Sequence, residues 1–433
     1  MEQTDLSLRF ELKQTSPHFC KATIIIPKEV SRKAYEQAVL AQQKSARAYG
    51  FNKKNVPVEY IKKHFEFNIK KHLQEFLFKY FALSFLHQEI KAQKLNIAGD
   101  PRLTDIAIHT DNDSSFHFDI SLFPKIEFQN WKYYPFKAPK RKNYKDLDRQ
   151  VDTFMKSERR CMKENSSSTA EIEDWVSFDI WLIDEHNNPI FGTHRENLWI
   201  KIGDEEADQE FQTLFLEKQI GDIFYAAQDT IQEYFGSQIG SNYHFGIQIK
   251  DIVKYSFFCF EKFKRQFRLK TKKEIARRLI EVFSYRNDVS QRHAMVDEAF
   301  KLMLSKYKFD VPNYLILRQQ QKILELLQQN PDYHVYKNQK DFKDQVRKLS
   351  KKQIKEIILI DQLANKENIN ATDEDIVCYL NLTKRPRMKE FIYFKIPNTT
   401  VEGQEMPISS EIIRKQCTRE KTLNYVIYHF TRK

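Results

Sequence analysis

Residues 50–57 read Gly50-Phe51-Asn52-Lys53-Lys54-Asn55-Val56-Pro57, and what stands on either side of them decides the fold. Glycine and proline are the residues that break one helix and begin another. Before the break, Val30, Ala34, Ala38 and Ala41 recur at helical spacing over residues 28–48. After it, Ile61, Phe65, Ile69, Leu73, Phe76 and Tyr80 repeat at threes and fours, and the pattern runs to about residue 91. The stretch therefore predicts the tip of a helical hairpin. Phe51 beside Lys53 and Lys54 offers an apolar anchor flanked by cations. Lys62, Lys63, Lys70 and Lys71 carry that charge down the second helix, where long-range attraction steers an anionic surface toward the tip. The alternative is a solvated turn that binds nothing.

Working outward, Leu6, Leu8, Phe10 and Leu12 alternate, and residues 20–26, 103–109 and 115–122 read as further strands. Residues 1–125 are then strand, strand, helix, loop, helix, strand, strand, an α+β domain. An extended aromatic stretch (Phe128, Trp131, Tyr133, Tyr134, Phe136), a basic run at 137–142, a helix at 144–162 and linker composition at 164–169 make 126–167 a connector. Val176, Phe178, Ile180 and Leu182 alternate, and so do Tyr243, Phe245, Ile247 and Ile249, so 168–254 is a small β-rich domain. Residues 255–433 read as helical. Pro312 suits a first helical turn, 351–367 is periodic, and Thr372 before Asp373, Glu374 and Asp375 fits an N-cap with acids on the helix dipole. The chain is predicted to be multidomain α+β.

Composition narrows the function. The 433 residues hold 9 glycines against 34 phenylalanines and 20 tyrosines. No GxxxxGK[ST] or GxGxxG is present, so no nucleotide site is expected. The formal charge of +12 suits an anionic partner, or an ordinary basic surface. Cys20, Cys161, Cys259, Cys378 and Cys417 are widely spaced, which predicts free thiols and no zinc site. The 12 histidines form no HExxH pair. No metal or other cofactor is expected. No apolar run is long enough to span a bilayer, the first residues lack a signal-peptide core, and a cytoplasmic location is expected.

Three phrases in order resemble the trigger factor family. Residues 50–57 are similar to its tip motif, Gly-Phe-Arg-x-Gly-Lys-Val-Pro. Phe309-Asp310-Val311-Pro312 is similar to its third-domain helix start, and residues 352–374 to its late helix pair. The resemblance implies an N-terminal ribosome-binding domain, an FK506-binding-type prolyl isomerase domain and a helical chaperone body with arms. It implies an ATP-independent chaperone on the large ribosomal subunit at the exit tunnel. Its partners are nascent and unfolded polypeptides, without membrane or nucleotide, and a homodimer away from the ribosome is compatible with it. Gly50, Phe51, Asn52, Lys53, Lys54 and Asn55 then form the ribosome-binding loop, with Asn52, Lys54 and Asn55 replacing the family's Arg, Gly and Lys. In the β-rich domain, Asp179, Ile180, Phe211, Tyr234 and Phe245 match pocket positions, with Phe191 a further wall. Ile180 stands where the family prefers Phe. Ala207-Asp208-Gln209-Glu210-Phe211 replaces Ile-Pro-Gly-Phe-Glu, so polar groups enter an apolar floor and weak isomerase activity is expected. The same aromatics read equally as barrel core. Phe257, Phe258, Phe260, Tyr314, Leu315, Ile392 and Phe394 are candidate client contacts that read more readily as core. A cytosolic prolyl isomerase and a basic RNA-binding protein are the competing readings.

Overall fold

The computed structural model describes residues 7–16, 19–51, 56–95, 97–123, 126–140, 146–165, 167–184, 186–190, 192–203, 213–228, 231–232, 235, 244–311, 313–328, 330–401 and 404–432. The chain forms two compact units. One comprises residues 1–122, 167–254 and 398–409, the other 123–166, 255–397 and 410–433. It is the multidomain α+β chain that the sequence predicts, with a β-rich central part and a helical C-terminal region.

The first unit holds two antiparallel sheets. Strands β1 (Arg9–Ser16), β2 (Phe19–Ile26), β3 (Arg102–Ala107) and β4 (Ser114–Ser121) run in the order β1-β2-β4-β3. Register sets Ala22 opposite Phe118 and Ile24 opposite Phe116, so the buried residues share one face. Helices α1 (Lys28–Ser45), α3 (Glu66–Leu77) and α4 (Leu83–Ala92) belong with that sheet. Leu73, Leu77, Leu86 and Ile90 join Ile24 and Phe116 in one apolar cluster. The single long helix expected from residue 61 onward is interrupted twice. Phe65, at φ −114° and ψ 16°, separates α2 (Val58–His64) from α3, and a π-helical turn, Phe78–Ala82, separates α3 from α4. The extra residue of a π turn re-phases the helix, and Tyr80, Phe81 and Ala82 are buried in succession.

The second sheet contains β5 (Trp175–Ile183), β6 (Arg195–Lys201), β7 (Ile223–Ala226) and β8 (His244–Val253). A short strand, Ile408–Ser409, completes it on the far side of β6, giving the order 408–409, β6, β5, β8, β7. Nothing in the sequence pattern announces that return from so late in the chain. Register aligns Phe178 with Ile249, Ile180 with Ile247 and Leu182 with Phe245, and these six residues share a core with Phe215 and Phe235.

The second unit is helical. Phe128 and Trp131 from the extended aromatic stretch are buried among Phe300, Leu359, Leu363, Leu423 and Phe430. The helix expected to begin at 351 begins earlier, as Phe342–Lys366. Thr372 caps the next helix as expected, and its hydroxyl and the Asp375 carboxylate exchange bonds with each other's amides. Residues 255–259 lie outside any helix or strand, so their backbone needs side-chain partners. Glu158, on α5 (Leu147–Glu164), accepts the Phe258 amide at 2.7 Å. Arg385 donates to both Glu158 oxygens at 2.7 and 3.2 Å and to the carbonyls of Tyr255 and Ser256. Lys384 donates to the Phe257 carbonyl, and Asn381 accepts the Cys259 amide and donates to the Cys259 carbonyl.

Glu420, on the last helix, is fully buried and accepts the amides of Tyr393 and Phe394 at 2.5 Å each. Burial pushes its carboxyl up to about 7, against the pull of those amides and of the Arg292 charge.

Two outcomes are expected. Replacing Arg385 with Ala strands a buried carboxylate and should cost about 3–5 kcal/mol, read as a lower urea midpoint; an unchanged midpoint counts against the clamp. Folded Glu420 keeps its proton up to about pH 7, whereas the unfolded chain releases it near the ordinary value of 4.5. Its stabilising contribution is therefore complete below 4.5 and lost as pH rises to about 7. Glu420→Gln should match the wild type near pH 4.5 and exceed its stability by about 1–3 kcal/mol at pH 8; parallel melting curves at both pH values would exclude this.

Candidate functional site

The hairpin tip stands on a small apolar base of its own. Ala38, Val39 and Ala46 from the α1 side meet Val56, Ile61 and Ile69 from the other. The Gln43 amide closes the neck with a 2.6 Å bond to the Val56 carbonyl. Gly50 sits at φ +86° with nothing within 4 Å of where a Cβ would lie. Its role is conformational, a left-handed turn that other residues adopt at a cost. Phe51 follows, 40% exposed, with its ring 5.2 Å from Tyr60, which in turn stacks on His64 at 4.1 Å. Asn52, Lys53, Lys54 and Asn55 lie outside the described residues.

Lys62, Lys63, Lys70 and Lys71 are all exposed, yet Lys62 is 3.8 Å from Glu59 and Lys70 is 2.5 Å from Glu66. Two of these four lysines thus already have a carboxylate beside them. Two aromatics that the sequence reading passed over are more exposed than Phe51: Tyr49 at 103% and Phe67 at 79%. Phe67 shares a helix face with Lys70 and Lys71, a juxtaposition that a helical wheel of residues 66–77 displays.

In the second sheet the structure brings Ile180 and Phe245 together and leaves Asp179 apart. Neighbours on a strand point to opposite faces. Ile180 and Phe245 are each 1% exposed within the aromatic core. Asp179 faces the other way, accepts the Asn197 amide at 2.7 Å and pairs with Lys250 at 3.2 Å. Phe191, Phe211 and Tyr234 lie outside the described residues.

In the helical unit, Phe258, Phe260, Leu315, Ile392 and Phe394 are core, and Phe257 is half-buried. The Tyr314 side chain lies outside the described residues. The exposed apolar side chains include Leu317, Leu326, Val335, Tyr336 and Leu349. They lie on helix Asn313–Gln328, on the short helix Tyr333–Lys337 and on the first turns of Phe342–Lys366. A bond from Gln319 to Gln353 at 2.8 Å ties the two longer helices. Leu317 follows two buried neighbours, Leu315 and Ile316, so it falls off the apolar stripe. Apolar side chains kept in water suit binding of unfolded segments.

No group of side chains among the described residues is arranged to hold a metal. None of the described helices is long and apolar enough to cross a membrane. The five cysteines are free, and burial raises the thiols of Cys20, Cys378 and Cys417, which suppresses the reactive thiolate.

Residues 8–156 match the family model described as bacterial trigger factor protein, and residues 260–383 match the one for its C-terminus. The chain belongs to the trigger factor family. Among its relatives, the trigger factor of Desulforapulum autotrophicum is 21% identical over 374 residues, covering 82% of this chain and 80% of that one. The trigger factor of Rickettsia prowazekii is 21% identical over 403 residues, covering 90% and 87%. A solved structure described as "Promiscuous Substrate Recognition in Folding and Assembly Activities of the Trigger Factor Chaperone" aligns with 96% of this chain and 99% of that chain, at 14% identity and a TM-score of 0.39. Membership of the trigger factor family carries a chaperone role.

The exposed leucines give that role a test. Changing Leu317, Leu326 and Leu349 together to Ser should weaken suppression of aggregation of a denatured client severalfold. Each change should shift stability by no more than about 0.5 kcal/mol, as at exposed sites generally. Undiminished suppression would assign client binding elsewhere.

Proposed function

We propose that this chain is a cytoplasmic, ATP-independent chaperone that docks on the large ribosomal subunit beside the exit tunnel. There it holds nascent and unfolded polypeptides and assists their folding and export. The docking element is the loop of Gly50, Phe51, Asn52, Lys53, Lys54 and Asn55. The observation that carries this reading is Phe51, a ring left 40% exposed on an apolar base, where burying the exposed remainder would be worth about 1 kcal/mol to a partner. Exposed lysines on the following helix supply attraction to ribosomal RNA, and that attraction is salt-dependent. The exposed leucines of the helical unit are the client-binding counterpart.

The β-rich domain is read as an isomerase-like module with low activity. Such a site desolvates the prolyl amide and lowers its rotation barrier of about 20 kcal/mol by favouring the twisted form. Ile180 in place of a larger ring narrows the aromatic wall that this chemistry uses.

Co-sedimentation with purified large subunits tests the docking reading. The wild type should pellet with subunits at low salt and be released progressively as salt rises. Phe51→Ala together with Lys53→Ala and Lys54→Ala should weaken binding at least about tenfold and flatten the salt dependence. Full binding by that variant would remove the loop from the function.

A further inference from the structure

The π turn places two adjacent rings, Tyr80 and Phe81, where a regular helix directs neighbours about 100° apart. Both are buried, at 8% and 7% exposure, within the apolar cluster of the first sheet, and both also touch residues that belong with the second sheet. The Tyr80 hydroxyl donates to the backbone carbonyl of Phe235. The Arg195 guanidinium lies over the Tyr80 ring at 5.5 Å and over the Phe235 ring at 5.6 Å, joining the two by cation–π contact. Phe235 is in turn 6.4 Å from Phe245 and 6.2 Å from Phe178. Phe81 rests on the backbone at Gly192, a residue at φ +77° whose missing Cβ would collide with the ring. Phe76 completes the set, 4.8 Å from Tyr80 and 6.1 Å from Phe81, and packs against the apolar clusters of both sheets.

This chain of rings ends on Phe245, in the same core as Ile180, where a prolyl ring would have to enter if the domain were an isomerase. We propose that the aromatic turn Phe76–Phe81 is the resident cover of that isomerase-like core. It closes the core to proline-containing segments in the intact chain and makes the β-rich domain a seat for the base of the hairpin. The contacts are those of a built seat. A phenol proton is delivered to one backbone carbonyl, a guanidinium stacks between two rings, and a glycine stands where a side chain would hold the ring off. A prolyl ring offers neither a donor for the Phe235 carbonyl nor a face of that area, so an external segment competes poorly with a cover held at high effective concentration by its own chain. The inference rests on reading the domain as isomerase-like, and its test separates the two claims.

The test uses the full-length protein with Tyr80→Phe, which removes only the hydroxyl, and Phe81→Ala, which removes a ring, each checked for a wild-type far-ultraviolet spectrum. Amide hydrogen exchange over 195–200 and 244–247 reports the seat. Isomerisation of a proline tetrapeptide reports the pocket. Exchange in both segments should quicken about tenfold or more with Phe81→Ala and less with Tyr80→Phe, while turnover rises from the uncatalysed rate of the wild type. Unchanged exchange in both variants overturns the proposal, and so does a wild type that already catalyses as fast as the variants. Faster exchange with turnover still at the uncatalysed rate supports the seat and overturns the isomerase reading of the core.

Discussion

A phenol buried away from water has to give its proton to something, because an unmet donor costs about 1–3 kcal/mol. In the first unit that requirement falls on Tyr80, and it is met by the Phe235 carbonyl. Burial pushes the phenol up to about 12, so the donor keeps its proton across the physiological range. Phe76 and Arg195 pack on the ring of the same tyrosine, and Phe81 beside it rests on Gly192. The second limb of the hairpin that carries Phe51 ends at the π turn.

The second unit solves a related problem with charge. Residues 255–259 have no helix or sheet to satisfy their backbone, and a buried carboxylate, a guanidinium, an amide and an ammonium do it instead. Desolvating such groups is favourable only when nearly every lone pair and proton is used, and around Glu158 and Arg385 the geometry uses them. Glu420 is less completely used: one of its oxygens accepts two amides at once, and the other is buried without a hydrogen-bond partner among the described residues. A helical body with scattered leucines left in water thereby keeps a specific core beneath an adaptable surface, the combination that a holding chaperone requires.

What the sequence made legible was whatever is decided locally. The Gly50 to Pro57 break, the alternation of β2 and β4, and the Thr372 cap each depend on a few neighbouring residues, and each is present. The π turn was not legible, because an apolar repeat of threes and fours persists on both sides of one inserted residue. Nor was the return of 408–409 to β6, since two residues of strand carry no periodicity and their partner lies some two hundred positions away. Within the candidate site, Asp179 and Ile180 were read together as pocket positions, although strand alternation sets adjacent residues on opposite faces. Exposure of Phe67, Leu317 and Leu326 is a tertiary fact, visible beforehand only as apolar residues off the stripe.

That late strand also sets an order of events during synthesis. Four strands of the sheet leave the ribosome long before the fifth, so the β6 edge stays unpaired while most of the helical region is being made. An open edge invites pairing with other chains. A newborn copy of this protein therefore passes through a stage in which it needs the shelter that its finished form provides to others.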